Sequence, residues 1–299
     1  MKRTAQLAKI LIALYSLIYI YSCSKTDLKD ESIIPDEVNN HKLKNACDLA
    51  EFNSLTEGQL PLAPYVFHKK YDPAGKKMSQ IDIGLYSGGT ISERVVLNVF
   101  YKRNEIFFIN NANPADTCIK ATLNNFGKPE TASFSETIDF GLPDHKFCYD
   151  QNGRLVKVIV DRESNYGFWF HYDSRGNNTV ISLDTIDQAP AILETFEYDN
   201  SRTASQQCYL DHARGFSEDG FLVFHAMGLL PELNPLNLRT HTRVMWGTYM
   251  AYDADLFNQK LDGQGKLVGY DAGANSNATS SWSLVWQCQD QNQNEDHSN

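Results

Sequence analysis

The stretch YDQNGRLVKVIV, residues 149–160, carries oxygen-bearing side chains at a spacing that suits either a calcium loop or a tight turn. An EF-hand calcium loop requires glycine at its sixth position and glutamate at its twelfth. Counted from Asp150, those positions hold Leu155 and Asp161, so the stretch fails this test. A type I turn explains it better, because Asp150 can accept bonds from the following amides and Gly153 can adopt a positive φ. We therefore predict a structural turn and no metal site.

Signatures of catalysis are missing from the sequence. It has no Gly-x-Ser-x-Gly elbow, no His-Glu-x-x-His, no phosphate-binding glycine loop and no dinucleotide fingerprint. The adjacent residues Asp211 and His212 could form an acid and orienting pair, and the other candidates are His225, His241 and Cys208. Structural or solvated roles suit these residues better. We expect no enzymatic activity and no cofactor; the alternative is an envelope glycan hydrolase with paired carboxylates among its 37 acidic residues.

Two aromatic segments could hold a ligand. In NYGFWFHYD, residues 165–173, strand alternation places Trp169 on the face opposite Phe168 and Phe170. Near the C-terminus, Trp282 and Trp286 alternate with serine and valine in the same way. Aromatic side chains on a sheet face can stack on sugar rings, so Trp169, Trp282 and Trp286 are the candidate ligand-stacking residues. Core or cross-strand packing is the alternative.

The elements that would position these residues are β-strands. Short runs rich in valine, isoleucine, phenylalanine and tyrosine are separated by turn residues, and no long stretch has a convincing helical period. We predict an all-β fold, a large antiparallel meander of hairpins that forms a curled or barrel-like sheet.

A repeated dipeptide supports this architecture. Tyr-Asp occurs six times, and the consecutive copies at Tyr149, Tyr172 and Tyr198 are 23 and 26 residues apart, about the length of one hairpin with its loop. The copy at Tyr198 lacks the glycine and is degenerate. The structural-turn residues predicted from the sharp copies are Tyr149, Asp150, Gly153, Arg154, Tyr172, Asp173 and Gly176.

The N-terminus has the organisation of a secretory signal peptide, with Lys2 and Arg3 before a short apolar run. The run ends in Ile-Tyr-Ser-Cys, which is typical of a lipobox, although Tyr21 stands where a small residue is usual. We predict lipidation of Cys23; an ordinary signal peptide with a chance cysteine is the alternative. The predicted divisions are a lipoprotein signal peptide over 1–22, the lipidated cysteine with a flexible tether over 23–60, a β domain over 61–288 and a disordered tail over 289–299.

Charge and cysteine content limit the partners. Removal of residues 1–22 would remove three basic residues and no acidic ones, which changes the net charge from −10 to −13. A chain with this charge and no basic stripe is not expected to bind nucleic acid. Five cysteines follow Cys23, enough for two disulfides and one remaining thiol, and they lack the paired spacing of a zinc site.

The sequence here resembles the repeated unit Tyr-Asp-x-x-Gly-Arg-Leu of YD-repeat (RHS-like) proteins. The matching residues are Tyr149, Asp150, Gly153, Arg154 and Leu155. The order of lipobox, tether, hairpins, Asn234-Pro235 and a terminal aromatic strand is similar to the YD-repeat lipoproteins of Bacteroidota, over most of residues 65–288. This resemblance implies a porin-like or curled antiparallel sheet and supplies no activity. The acidic segment Lys29-Asp30-Glu31 also resembles a surface-export signal. We therefore expect an outer-membrane lipoprotein on the cell surface, or alternatively facing the periplasm. It would act as a binding or structural module, held by membrane lipid and recognising a glycan or a surface protein.

Overall fold

The computed structural model describes the chain in segments that together form one sheet. The described residues are 47–54, 65–73, 77–87, 90–135, 144–161, 166–184, 191–209, 223–224, 227–230, 235–246, 248–274 and 277–288. Sixteen strands lie within them: β1 (Asp48–Ser54), β2 (Tyr65–Tyr71), β3 (Met78–Ser87), β4 (Thr90–Lys102), β5 (Glu105–Asn110), β6 (Thr117–Leu123), β7 (Pro129–Phe134), β8 (His145–Tyr149), β9 (Leu155–Asp161), β10 (Tyr166–Tyr172), β11 (Asn178–Asp184), β12 (Ala191–Thr203), β13 (Asn237–Trp246), β14 (Tyr249–Leu261), β15 (Leu267–Ala274) and β16 (Asn277–Gln287).

The strands close into a barrel. Each strand pairs antiparallel with its neighbours in the chain, and β1 pairs with β16. A series of hairpins produces this consecutive pairing. Short connections place strands that are adjacent in the sequence next to each other in the sheet. The prediction of an all-β antiparallel meander is confirmed, and its two ends meet to remove every sheet edge.

Alternation along the strands sorts apolar side chains to the inside. In β5, Ile106 and Phe108 are buried, whereas Glu105 and Phe107 point to the outer wall. The buried residues of all parts of the barrel join in one hydrophobic cluster. Its largest fully buried members include Trp282, Phe52, Phe108, Phe224, Ile81 and Leu97.

The connection between β12 and β13 helps to fill the interior. Phe224 packs edge-on against Phe108, with ring centroids 6.2 Å apart, and against Phe147 at 5.4 Å. Val223 and Leu230 are also buried. We call residues 204–209, 223–224 and 227–230 the plug. A sixteen-stranded barrel is wide enough to leave a central channel, and here this connection supplies apolar side chains to that space.

The structure corrects the predicted domain boundary. Strand β1 lies within residues 23–60, which composition assigned to a flexible tether, so the barrel domain begins by Cys47. The strand is short and polar around Phe52, which gives it a weak pattern, and its pairing with β16 stabilises it. The predicted signal peptide, Cys23 and the predicted C-terminal tail lie outside the described residues.

Among the described residues, no helix is long and apolar enough to cross a membrane.

Candidate functional site

One end of the barrel collects a set of related turns. The strands alternate in direction, so the connections β2–β3, β4–β5, β6–β7, β8–β9, β10–β11 and β14–β15 all lie at the same end. Strand β1 begins at this end and strand β16 ends at it. The connection from β12 to β13, which contains the plug, also lies at this end. We call this end of the barrel the turn face.

The turn at Asp150 is closed by its own side chain. The Asp150 amide donates to the Arg154 carbonyl at 2.9 Å, and the Gly153 amide donates back to the Asp150 carbonyl at 2.9 Å. The Asp150 Oδ1 accepts from the amides of Asn152 and Arg154, each at 2.9 Å, and its Oδ2 accepts from the Arg154 Nε at 2.8 Å. Gly153 has a φ of 74°. Both carboxylate oxygens therefore bond to groups of the turn itself.

The same geometry recurs at three other turns. The Asp173 Oδ1 accepts from the amides of Arg175 and Asn177 at 2.9 Å, with Gly176 at a φ of 90°. The Asn124 Oδ1 and the Asp262 Oδ1 make the corresponding two bonds, with Gly127 and Gly265 at positive φ. The last two turns lack the preceding tyrosine, so the Tyr-Asp pattern missed them. The spacing Asn/Asp-x-x-Gly-Lys is the signal that would have found them.

Hydrogen bonds keep these carboxylates ionised. Partial burial acts to raise the pKa of Asp150, but the Arg154 amide and guanidinium overcome it and hold the pKa below its usual value. The pKa of Asp173 is lowered in the same way, against partial burial, by Asn177 and neighbouring amides. The Lys266 amide is the main cause of the lowered pKa of Asp262. Among the described residues, no group of three or more histidine, cysteine or acidic side chains could hold a metal ion.

Three tyrosines connect a hairpin to the one before it. The Tyr149 hydroxyl donates to the Pro129 carbonyl and the Tyr172 hydroxyl to the Leu155 carbonyl, both at 2.8 Å. Each acceptor is the residue that directly follows the preceding turn. The Tyr198 hydroxyl bonds to the Asn178 carbonyl at 2.5 Å, and the Trp286 Nε1 bonds to the Leu267 carbonyl at 2.6 Å, in the same relation.

Cations that end the turns cover the same tyrosine rings. The Lys128 Nζ lies 5.2 Å from the centroid of Tyr149, and the Arg154 guanidinium lies 5.1 Å from that of Tyr172. Such contacts combine cation–π attraction with packing of the aliphatic stem. The repeat is therefore a physical unit in which Asp builds its own turn, Gly allows it, and Arg or Lys packs on the next tyrosine.

Not every Tyr-Asp dipeptide precedes a turn. Tyr198 lies inside β12, where Asp199 still accepts from the Ser201 amide at 2.9 Å. Tyr252 and Tyr270 lie inside β14 and β15 and are buried. The dipeptide alone does not specify the turn.

An ion pair between a buried lysine and a half-buried aspartate lies where β1 begins. The Lys69 Nζ is 2.6 Å from the Asp48 Oδ1, and the Tyr71 hydroxyl donates to the Asp48 Oδ2 at 2.9 Å. Burial lowers the pKa of Lys69, opposed by Asp48, and burial next to Asp48 raises the pKa of Tyr71. The neighbouring residue Cys47 forms a disulfide with Cys288. This disulfide joins the two strands that close the barrel.

The buried side-chain amide of Asn177 fixes the start of β13 to the β10–β11 turn. The Asn177 Oδ1 accepts from the amides of Leu236 at 2.9 Å and Asn237 at 3.0 Å. Its Nδ2 donates to the Asp173 Oδ2 at 2.9 Å and to the Asn237 Oδ1 at 3.0 Å. Sequence reasoning missed Asn177, although asparagine where other turns have lysine or arginine is a visible departure.

The tryptophans proposed for ligand stacking differ in their surroundings. Trp282 is 1% exposed and stacks on Phe52 at 5.0 Å inside the barrel, so a sugar ring cannot reach it, which corrects that prediction. Trp286 is partly buried against the core and bonds to the Leu267 carbonyl. Trp169 points to the outer wall and has the Lys157 Nζ 4.6 Å from its ring centroid.

The candidate catalytic residues do not come together in the described part of the chain. His241 lies on the outer wall, with its Nε2 2.7 Å from the Asp253 Oδ1 and its Nδ1 3.0 Å from the Asp255 Oδ1. Cys208 is buried in the plug. The remaining candidates Asp211, His212 and His225 lie outside the described residues.

Comparison with known proteins supports the fold alone. No protein-family model matches the chain, and neither does any curated protein. Among solved structures, it is similar to a porin-like protein from Bacteroides uniformis ATCC 8492, at 14% identity and a TM-score of 0.52, over 79% of this chain and 96% of that chain. A porin-like protein from Bacteroides vulgatus ATCC 8482 matches at 12% identity and a TM-score of 0.37, over 80% of this chain and 98% of that chain. The first similarity shows that the two proteins share an all-β barrel fold.

Proposed function

We propose that the protein is a lipoprotein of the bacterial outer membrane, anchored through acylated Cys23, and that its barrel is a binding or structural module without catalytic activity. The observation that carries the proposal is the polarity of the barrel. A membrane-spanning β-barrel has an apolar outer band and a polar interior. This barrel has an apolar interior and polar pairs on its outer wall, so the membrane association we propose calls for a separate anchor, and a lipidated cysteine is such an anchor.

Polar pairs between neighbouring strands lie on the outer wall. Lys120 lies 2.7 Å from Glu105, and the Thr122 and Thr131 hydroxyls are 2.6 Å apart. The Asp271 side chain accepts from Ser281 at 2.6 Å. Such pairs stabilise a sheet face that meets water, and a hydrocarbon layer would desolvate them at high cost.

The partner we propose is a glycan or a surface protein, met by the outer wall or by the end opposite the turn face. That end carries exposed Tyr249 and Met250 beside the β13–β14 connection. Trp169 on the outer wall is the aromatic candidate that supports a glycan. The turn signature also supports the resemblance to YD-repeat lipoproteins.

The anchor is tested by replacing Cys23 with Ala and fractionating the cells. We expect the wild-type chain in the membrane fraction and the variant in the soluble fraction, while Cys118→Ala, a buried thiol in β6, should fractionate as wild type. Equal membrane association of wild type and Cys23→Ala would overturn the anchoring proposal.

The location and the absence of catalysis need separate measurements. Protease treatment of intact cells should remove the protein and spare a periplasmic control if it lies on the cell surface; survival of both would indicate the periplasmic alternative. Release of reducing sugar from envelope glycans by the purified chain would contradict the non-catalytic proposal and favour the hydrolase.

A further inference from the structure

We infer that the turn face docks on the anionic headgroups of the membrane that holds the lipid anchor. This inference rests on the proposed function, because it assigns an orientation to the anchored barrel. It concerns a surface of the barrel itself, in addition to the acylated cysteine.

Exposed positive charge is concentrated on the turn face. The whole chain has a net charge of −10. On this face, however, the exposed cationic side chains include Lys77, Lys102, Arg103, Arg175 and Arg202. An anionic lipid surface attracts basic residues by about 1 kcal/mol for each lysine or arginine held near it.

The aspartates that close turns on this face are less able to repel lipid phosphate. Asp150, Asp173 and Asp262 are half-buried, and each carboxylate accepts two amides of its own turn. Hydrogen-bonded oxygens that point back into the turn present less charge outward than the long cationic side chains beside them.

Exposed apolar side chains lie at the same end of the barrel as these cations. Phe126, in the β6–β7 turn, is 80% exposed, and Leu236 and Leu261 are 53% and 38% exposed at the same end. Asn124 fixes the turn around Phe126 through the amides of Phe126 and Lys128. An aromatic ring held outward among basic residues is the combination that binds the interface between headgroups and acyl chains.

The position of strand β1 favours the same orientation. Strand β1 begins on the turn face, and Cys23 is 24 residues before Cys47. The flexible tether that composition predicts for this segment would span about 27 Å on average. It would hold the turn face close to the bilayer, where even weak contacts become effective because their partner is at high local concentration.

A membrane surface fits the arrangement of the exposed cations better than a bound peptide does. The exposed cations lie near the β2–β3, β4–β5 and β10–β11 connections and at the end of β12, so they form two groups on opposite sides of the barrel end. A flat anionic surface can contact all of them together, whereas a bound peptide would contact one or two connections.

The test uses the full chain with Cys23→Ala, which removes the acyl group, and vesicles of phosphatidylcholine with or without 30% phosphatidylglycerol. We expect co-sedimentation with the anionic vesicles, weaker at 300 mM than at 50 mM NaCl because salt screens exposed charges. The double substitution Lys102→Glu with Arg103→Glu should weaken binding at least tenfold, and Phe126→Ser should weaken it at both salt concentrations.

The matched control reverses two exposed charges away from the turn face, Arg94→Glu with Arg243→Glu. This variant should bind anionic vesicles as the Cys23→Ala chain does, and thermal unfolding of every variant checks that it is folded. Equal binding to neutral and anionic vesicles, or equal loss in both double variants, would overturn the inference. If the face fails to bind while Cys23 still anchors the chain in cells, the docking inference fails and the proposed anchor stands.

Discussion

At the scale of single residues, the turn aspartates combine two roles that can be separated. Each is an acceptor that completes a turn, and each is a charge kept ionised by its surroundings. Asn124 fills the same position without a charge and makes the same two amide bonds. The protein therefore contains its own comparison between a charged and a neutral turn.

Asp150→Ala and Asp150→Asn are expected to differ in stability. The alanine variant loses both amide bonds and should lower the free energy of unfolding at pH 7 by about 1–2 kcal/mol. Asparagine restores an acceptor, as at Asn124, so this variant should lose less. Urea unfolding at pH 7 measures both, with Glu130→Gln as a control for loss of an exposed charge. Equal stability of the two Asp150 variants would show that the amide bonds contribute nothing.

The same variants predict a pH dependence. The pKa of Asp150 is lower in the folded chain than in the unfolded one, so its ionised form favours folding. That stability is present above the unfolded pKa of about 3.9 and is lost as pH falls through the lower folded pKa. Asp150→Asn should therefore lose less stability than wild type between pH 5 and pH 2, measured by urea unfolding across that range.

At the scale of elements, β9 and β10 pack so closely that one position excludes a side chain. A Cβ built at Gly167 would lie 2.3 Å from the Val158 carbonyl oxygen and 3.1 Å from the Ile159 Cα. Both contacts are to backbone of the paired strand, which cannot move aside without breaking the ladder. A Cβ built in the same way at Gly263, in the β14–β15 turn, would have no such neighbour within 4 Å.

Gly167→Ala should therefore destabilise the barrel, whereas Gly263→Ala should not. Overpacking of this kind costs about 1–3 kcal/mol, and an unstrained Gly→Ala change is neutral or slightly stabilising. Thermal and urea unfolding of the two variants make the comparison. A Gly167→Ala chain as stable as Gly263→Ala would mean that the strands are farther apart than described.

The sequence predicted where the strands lie better than it predicted which strands pair. Strands such as β9 and β10 were visible because valine and aromatic residues alternate, and a glycine turn precedes β9 and follows β10. Strand β1 was missed because its pattern is weak and its pairing partner is at the other end of the chain. Burial of Trp282 against Phe52 also depends on that distant pairing, so local alternation could not distinguish a core ring from a ligand platform.

At the scale of the whole molecule, the barrel depends on one seam between the first and last strands. Every other strand pair joins consecutive strands, but β1 and β16 are brought together from opposite ends of the sheet. Pairing β1 with β16 closes a loop that spans almost the whole barrel domain. Closing so long a loop costs more chain entropy than closing a hairpin. The Cys47–Cys288 disulfide, with a sequence separation of 241, removes that cost from the unfolded chain.

Breaking this disulfide should lower stability without opening the sheet. We expect Cys47→Ser to reduce the free energy of unfolding by about 2–4 kcal/mol, with the β-type circular dichroism retained because the strand pairing and the Phe52–Trp282 stack remain. Cys288→Ser should do the same, and the double variant should be no less stable than either single one, since the bond is already lost. If the two single losses instead add in the double variant, each cysteine stabilises through its own packing and the seam does not need the covalent bond.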